Sequence, residues 1–196
     1  MKYLKLLILI PLMINLQGCV TAALVGGTAA GVAATSVIYD KRSHSVAEKD
    51  HQIRKAIIVQ INNQTDLHNQ CRVVVNSYNG WVLLAGQAPT AAMKQQIESI
   101  ANNVSGIKRL YNEIEIRPVI SHSARMQDEW ITTKVKSTLL GHQGFKSAEI
   151  NVTTENGIVY LQGIVTQQQG EKSAVLASDV SGVRKVVKLF EYAPNQ

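Results

Sequence analysis

Tyr78-Asn79-Gly80-Trp81-Val82-Leu83-Leu84-Ala85-Gly86 and Glu155-Asn156-Gly157-Ile158-Val159-Tyr160-Leu161-Gln162-Gly163 are two copies of one pattern. In each, an Asn-Gly pair opens an apolar run that closes on glycine. Both central positions of a type I′ hairpin turn require positive φ, and Asn and Gly are the residues that supply it most readily. Each stretch therefore predicts a tight turn and a return strand, Trp81 to Ala85 and Ile158 to Gln162, with Gly86 and Gly163 as strand ends. Ahead of the turns, Val73 and Val75 alternate, as do Ile150 and Val152, which marks the first strand of each hairpin.

The duplication extends outward from the hairpins. Val104-Ser105-Gly106-Ile107 aligns with Val180-Ser181-Gly182-Val183, and Asp50, Ile53, Ile57 and Ile61 align with Asp128, Ile131, Val135 and Leu139, with the offset drifting only from 78 to 76. Isoleucines every four residues share one face of a helix, so a helix precedes each hairpin. A second helix follows it, carrying Met93, Ile97, Ile100 and Val104 in one copy and Ala174, Leu176, Ala177 and Val180 in the other. Pro89 falls where a first-turn proline is tolerated, and Ser-Gly is read as the helix stop in both copies. A last strand covers Arg109 to Ile116 and Lys185 to Tyr192. The fold class is α+β: two tandem α-β-β-α-β units, each a three-stranded sheet packed on two helices. Units of about 65 residues are near the lower limit for a core without cross-links, so pairing the two would help both.

The boundaries that follow are a signal peptide at 1–18, an anchor and flexible tether at 19–49, unit one at 50–117, a linker at 118–127 and unit two at 128–196. Lys2 and Lys5, an apolar run from Leu6 to Leu16 and a small residue at Gly18 are the parts of a secretory leader. The run is too short to span a bilayer, which takes about 20 residues. Cys19 directly after Gly18 resembles the bacterial lipobox, in which the thiol is diacylated, the leader is cut and the new amino group is acylated; an ordinary leader with a chance cysteine is the competing reading. Several acyl chains at about 0.8 kcal/mol per methylene hold a protein on one membrane. In such lipoproteins an Asp after the cysteine favours the inner membrane; Val20 stands here, which implies the periplasmic face of a Gram-negative outer membrane. Val20 to Tyr39 carries no charge and is rich in Ala, Gly, Thr and Val. It reads as a tether near the bilayer surface, its glycines disfavouring a second spanning helix.

Composition narrows the function classes. The chain has 196 residues and a formal charge of +6, which loss of Lys2 and Lys5 lowers to +4. That mild, dispersed basicity has no Lys/Arg block of the kind nucleic-acid sites carry, and the secretory route also argues against nucleic acid. If Cys19 is a thioether, Cys71 has no partner for an intramolecular disulfide. Cys71 is then a small half-buried residue at a strand start, with a redox role as the alternative. No catalytic constellation is present: no nucleophile is paired with a base. His44, His51, His68, His122 and His142 read as solvated residues in linkers, a helix start or loops, without metal-ligand spacing. Asp66 with His68 reads as a loop pair. No metal or cofactor is expected, and the chain is not read as an enzyme.

The hairpin pattern and the Val-x-Gly-Ile/Val endings resemble the BON (bacterial OsmY and nodulation) domain family. Unit one supplies Val73, Val75, Gly80, Val82, Leu84, Gly86, Val104, Gly106, Ile107 and Asn112. Unit two supplies the counterparts, except that Lys188 replaces the asparagine. Two such units behind a lipobox resemble outer-membrane lipoproteins of that family, especially at Trp130 to Ser137, Val152 to Gly157 and Tyr111 to Ile114. The resemblance implies binding of anionic, phosphatidylglycerol-like phospholipid, a role in envelope integrity and at division sites, and a relation to the outer-membrane protein assembly machinery.

On a helical wheel of about 100° per residue, Ile131, Val135 and Leu139 share the core face, and Trp130 lies well off it, flanked by Lys134, Ser137 and Thr133. An indole beside an ammonium on an outward face suits a lipid headgroup layer. The expected phospholipid-binding residues are therefore Trp130, Thr133, Lys134 and Ser137; unit one has Gln52 and Ala56 at the first and third of these positions. Two alternatives stand beside this reading. Trp130 could pack against the linker or between the units, and the chain could be a protein adaptor for envelope assembly in which the sheet edges or unit one dock a partner without lipid recognition.

Overall fold

The structure, a computed structural model, describes residues 43–142 and 150–193. The leader, Cys19 and the stretch read as a tether up to Tyr39 lie outside the described residues.

Unit one begins with helix α1 (His44–Asn62), capped by Ser43, whose side chain accepts from the Val46 amide. Its buried stripe is Asp50, Ile53, Ile57 and Ile61, the spacing that the isoleucines announced. The helix starts before Asp50, so the polar stretch expected to close the tether is its first turns. A short helix α2 (Thr65–Gln70) follows, placing Asp66 and His68 on a helix where a loop was expected; its Leu67 is fully buried. Strands β1 (Arg72–Tyr78) and β2 (Trp81–Ala88) form the hairpin. Helix α3 (Ala91–Asn102) is capped by Thr90. Pro89 therefore sits before the cap and not in the first turn, and Val104 lies beyond the helix. Strand β3 (Arg109–Ile116) pairs parallel to β2, giving the order β1-β2-β3.

Unit two repeats the plan with α4 (His122–Leu140), β4 (Ile150–Glu155), β5 (Ile158–Val165), α5 (Gln167–Ser178) and β6 (Lys185–Tyr192), in sheet order β4-β5-β6. Helix α4 also starts earlier than expected, capped by Ser121 inside the stretch read as linker. Val180 lies beyond α5, whose N-terminus is closed by a capping box between Thr166 and Gln169.

Gly86 and Gly163 do not end their strands. Both central strands run two residues further, and Gly86 pairs with Val73 on one side and Ile114 on the other. Its φ of 123° and its closeness to β1 explain the glycine: a Cβ there would overlap the carbonyl oxygen of Arg72. The Asn-Gly turns are as expected, with φ of 52° and 78° at Asn79 and Gly80, and 50° and 71° at Asn156 and Gly157.

Each sheet is buried on both faces. Val82 and Leu84 point into the helix-side core of unit one with Ile57, Ile97 and Ile114, while their neighbours Leu83 and Ala85 point the other way. There they meet Tyr160 and Leu189 of unit two, with Tyr111, Ile158 and Val187 around them. The two sheets thus pack face to face with helices outermost, and strand alternation feeds two cores at once. A polar frame surrounds this seam. Asn79 Nδ2 donates to Glu191 Oε2 at 2.6 Å, and Asn156 Nδ2 donates to Glu115 Oε2 at 2.7 Å. The same turn asparagine in each unit reaches the last strand of the other, so the arrangement is a pseudo-twofold. Glu155, only 4% exposed, receives Arg72 through both Nη2 (2.7 Å) and Nε (3.3 Å), and Gln87 Nε2 at 3.1 Å. Breaking one partner of a buried, hydrogen-bonded charge pair is strongly destabilising, so this contact ties β1 of unit one to the β4 end of unit two.

Candidate functional site

Among the described residues, helix α4 is held on its sheet from one side. Ile131, Val135 and Leu139 are at most 1% exposed and belong to the core of unit two. Asp128 lies on the same stripe, and its Oδ2 and Oδ1 accept the backbone N–H groups of Asn156 (2.7 Å) and Gly157 (2.8 Å). One turn further on, Thr132 Oγ1 donates to Thr154 Oγ1 at 2.8 Å. The helix is therefore pinned to the β4–β5 hairpin by its charged and hydroxyl side chains as well as by its apolar stripe. Asp50 does the same in unit one, accepting from Asn79 N, Gly80 N and Ser77 Oγ. The alignment of Asp50 with Asp128 was visible in the repeat. The signal for their role was a carboxylate on an otherwise apolar stripe, twice, opposite an Asn-Gly turn whose amides need acceptors.

With that stripe inward, Trp130 is turned out and 50% exposed. The Lys134 ammonium lies 5.4 Å from its ring centroid, a cation–π pair at the surface. Ser137 and Thr133 are exposed on the same face, but the Thr133 hydroxyl is committed to its own helix, donating to Glu129 O at 3.0 Å. The four expected residues are thus together on one outward face, Trp130 and Lys134 as a pair, Ser137 exposed and Thr133 offering mainly its methyl. Sequence reasoning missed how far the face extends: Met126 is 54% and Leu140 58% exposed. Met126, Trp130, Thr133, Ser137 and Leu140 step by four, three, four and three residues, so they form a second stripe along α4. On α1 the counterpart of Trp130, Gln52, donates to Glu48 Oε1 at 3.0 Å, and Ala56 is half-buried. The copies share a core and differ outside.

The remaining titratable groups are arranged for structure. Tyr160, in the seam, has its phenol pushed above the ordinary range, first by burial and then by Glu113, Glu115 and Glu155. Burial also raises the Cys71 thiol, whose Sγ lies 3.8 Å from Met93 Sδ. That thiol lines a small cavity of about 50 Å³ between α1, α2 and β1, with Ile58, Ile61, Leu67 and His68. His44 and His122, in stretches read as tether and linker, lie in the first turns of α1 and α4, and His51, read at a helix start, lies within α1. Among the described residues no three His, Cys, Asp or Glu side chains cluster as a metal site, and no helix is long and apolar enough to cross a membrane.

Comparison with known proteins gives a family. The model of the BON domain matches twice, at residues 49–118 and 127–194. Outer membrane lipoprotein DolP of Haemophilus influenzae is 38% identical over 188 residues, covering 96% of this chain and 95% of that protein. The 21 kDa hemolysin of Actinobacillus pleuropneumoniae is 35% identical over 153 residues, covering 78% of this chain and 79% of that protein. Among solved structures, the C-terminal domain of CdsD, a structural protein of the type III secretion system of Chlamydia trachomatis, aligns at 16% identity over 74% of this chain and 67% of that one, with a TM-score of 0.30.

Proposed function

The chain belongs to the BON-domain family of outer-membrane lipoproteins, and from that premise we propose that the outward face of α4 in unit two binds anionic phospholipid, of the phosphatidylglycerol type, and that Cys19 carries the acyl anchor. The family places the protein at the periplasmic side of the outer membrane in a lipid-associated envelope role without catalysis. One observation carries the finer reading: a half-exposed indole with an ammonium over its ring, on a helix whose opposite stripe is fully buried. Tryptophan partitions to the headgroup layer and lysine to its phosphates. Met126 and Leu140 at the two ends of the stripe add apolar contact.

The expected affinity is modest. Each Lys near an anionic surface contributes about 1 kcal/mol, so Lys134, Lys136 and one indole give weak, salt-sensitive binding. For a lipoprotein already held on the membrane this is sufficient, because the anchor raises the local lipid concentration seen by α4. The site then chooses the lipid patch rather than the membrane. Such a preference would gather the protein at zones rich in anionic lipid, division sites among them, where it supports envelope integrity.

The test uses the mature chain with Cys19→Ser, so that no acyl chain contributes to binding. Trp130→Glu should abolish co-sedimentation with phosphatidylglycerol vesicles while leaving thermal unfolding unchanged, and Lys134→Gln should weaken it about fivefold, the equivalent of about 1 kcal/mol. Equal binding of the wild type and Trp130→Glu would remove the proposal.

A further inference from the structure

A second aromatic–cation cluster lies on unit one, far from α4 in the layering. The Arg109 guanidinium carbon sits 4.9 Å from the centroid of the Trp81 ring and 5.9 Å from that of Tyr111. The two rings are themselves 5.9 Å apart and tilted by 48°. Arg109 Nη1 donates to Tyr111 Oη at 3.3 Å, which fixes the guanidinium over the rings. Arginine has five N–H donors; this is the one side-chain hydrogen bond the guanidinium makes among the described residues, and none of their carboxylates forms an ion pair with it. Arg109 and the adjacent Lys108 are exposed, whereas Trp81 and Tyr111 are half-buried. The rim is tied to its surroundings: Trp81 O accepts Gln162 Nε2 of unit two at 3.0 Å, and the Lys108 side chain donates through Nζ to Asn79 Oδ1 of the turn at 3.0 Å.

The fold does not require this cluster. Unit two has the same strands and the same turn, with Ile158, Lys185 and Val187 at the aligned positions. The seam is closed by Leu83, Ala85, Tyr160 and Leu189, with Tyr111 at its border. What the trio adds is a rigid, donor-rich, positively charged rim with aromatic walls. Trp, Tyr and Arg are the residues enriched at the energetic centres of protein interfaces, and a stacked guanidinium with spare donors is built to take a planar carboxylate.

We infer that the Trp81–Arg109–Tyr111 rim of unit one is a docking site for an acidic segment of a protein partner. Charge complementarity selects the occupant: Lys108 and Arg109 are adjacent exposed cations. The choice of protein over lipid rests on the lipid-facing reading of α4. Helix α4 covers the outer face of sheet two and the rim belongs to the inner face of sheet one, so a helix layer and a sheet layer, on the order of 20 Å, separate them. With α4 on the bilayer, the rim stands in the aqueous periplasm. Trp81, half-buried under the guanidinium, is also not free to insert among headgroups as Trp130 is.

The experiment follows the Trp81 indole N–H and the Arg109 Nε–H by NMR in the full mature chain, held in zwitterionic micelles at low salt. The probe is a blocked twelve-residue peptide rich in Glu and Asp, against a lysine counterpart, free glutamate at matched carboxylate concentration, and phosphatidylglycerol vesicles. The site predicts saturable shifts with the acidic peptide alone, a still Trp130 indole, and at least a tenfold loss of affinity in Arg109→Gln, an exposed position whose change leaves the melting temperature unaltered. Absent shifts, equal shifts with the lysine peptide or free glutamate, or indifference to Arg109→Gln would overturn it. Movement of the Trp81 indole with vesicles would overturn it in favour of lipid. A vesicle response at Trp130 without a peptide response at Trp81 would sink the docking site and leave the lipid site standing.

Discussion

Replacing Asp128 with alanine removes the carboxylate that pins α4 to the β4–β5 turn. Two backbone donors lose their acceptor, Asn156 N at 2.7 Å and Gly157 N at 2.8 Å. Gly157 is buried and Asn156 half-buried, so water can replace the bond only in part. Hydrogen bonds to a charged group are worth about 1.5–3 kcal/mol each, and a buried donor left unsatisfied costs about 1–3 kcal/mol. The expected loss is therefore about 2–5 kcal/mol, or roughly 5–15 °C in melting temperature for a protein of this size. Asp128→Asn recovers at most one bond, because its amide group presents a donor to one of the two N–H groups. Asp50→Ala should cost as much or more, since that carboxylate also accepts Ser77 Oγ at 2.6 Å. Urea unfolding at neutral pH, followed by circular dichroism with the m-value compared between variants, reads these differences. A loss below about 0.5 kcal/mol for Asp128→Ala at unchanged m, or a smaller loss for Asp50→Ala than for Asp128→Ala, would refute the reasoning.

Tyr160 makes a pH prediction. Its folded-state pKa is raised, so both states keep the phenol proton below about pH 10; above that the unfolded chain loses it first, and stability falls as pH rises, by about 1.4 kcal/mol per unit. Urea midpoints of the wild type and Tyr160→Phe should run parallel up to about pH 10 and then diverge, with the wild type falling faster; parallel curves above pH 10 would contradict the burial argument. Gly86→Ala should destabilise by more than about 3 kcal/mol or prevent folding, because the added methyl meets the Arg72 carbonyl at a φ that L residues rarely adopt, next to the Arg72–Glu155 contact; a soluble variant of near-native stability would mean that β1 can shift. Cys71, with its thiol raised by burial, should react with iodoacetamide several times more slowly in the folded chain than in urea at pH 8, and equal rates would show an open site.

Much of the architecture was legible because it was written twice. Val73 with Val75 and Ile53 with Ile57 could each be noise in one copy, but not when repeated at a near-constant offset. The bounds of β3 and β6 were readable because turn residues stand before them. Several misses share one cause: elements whose logic lies across the chain. Gly86 looks like a strand end until β1 is known to press against it. Thr65–Gln70 is too short and polar to show a helical period, and only Leu67, fully buried against the core, shows what the segment is for. The outward turn of Trp130 was readable from a local period, whereas its extension to Met126 and Leu140 rests on their exposure in the folded chain.

The seam gives a physical reason for the division of labour between the copies. A pseudo-twofold sandwich uses the inner face of each sheet to bury its neighbour and the outer face to bury its own helices. Substitutions on those faces are felt twice, because central strands such as Trp81–Ala88 feed both cores. Only the outward sides of the helices and the rims of the seam can change without loss of either core. Two such places differ between the copies: Gln52 and Ala56 against Trp130 and Lys134 on the first helices, and Ile158, Lys185 and Val187 against Trp81, Arg109 and Tyr111 at the strand starts. Each unit has acquired an aromatic–cation cluster where the other has none, one on the outermost layer and one at the central seam. With a helix layer and a sheet layer between the two clusters, occupation of both proposed sites would hold the protein between a membrane at α4 and a partner at the seam.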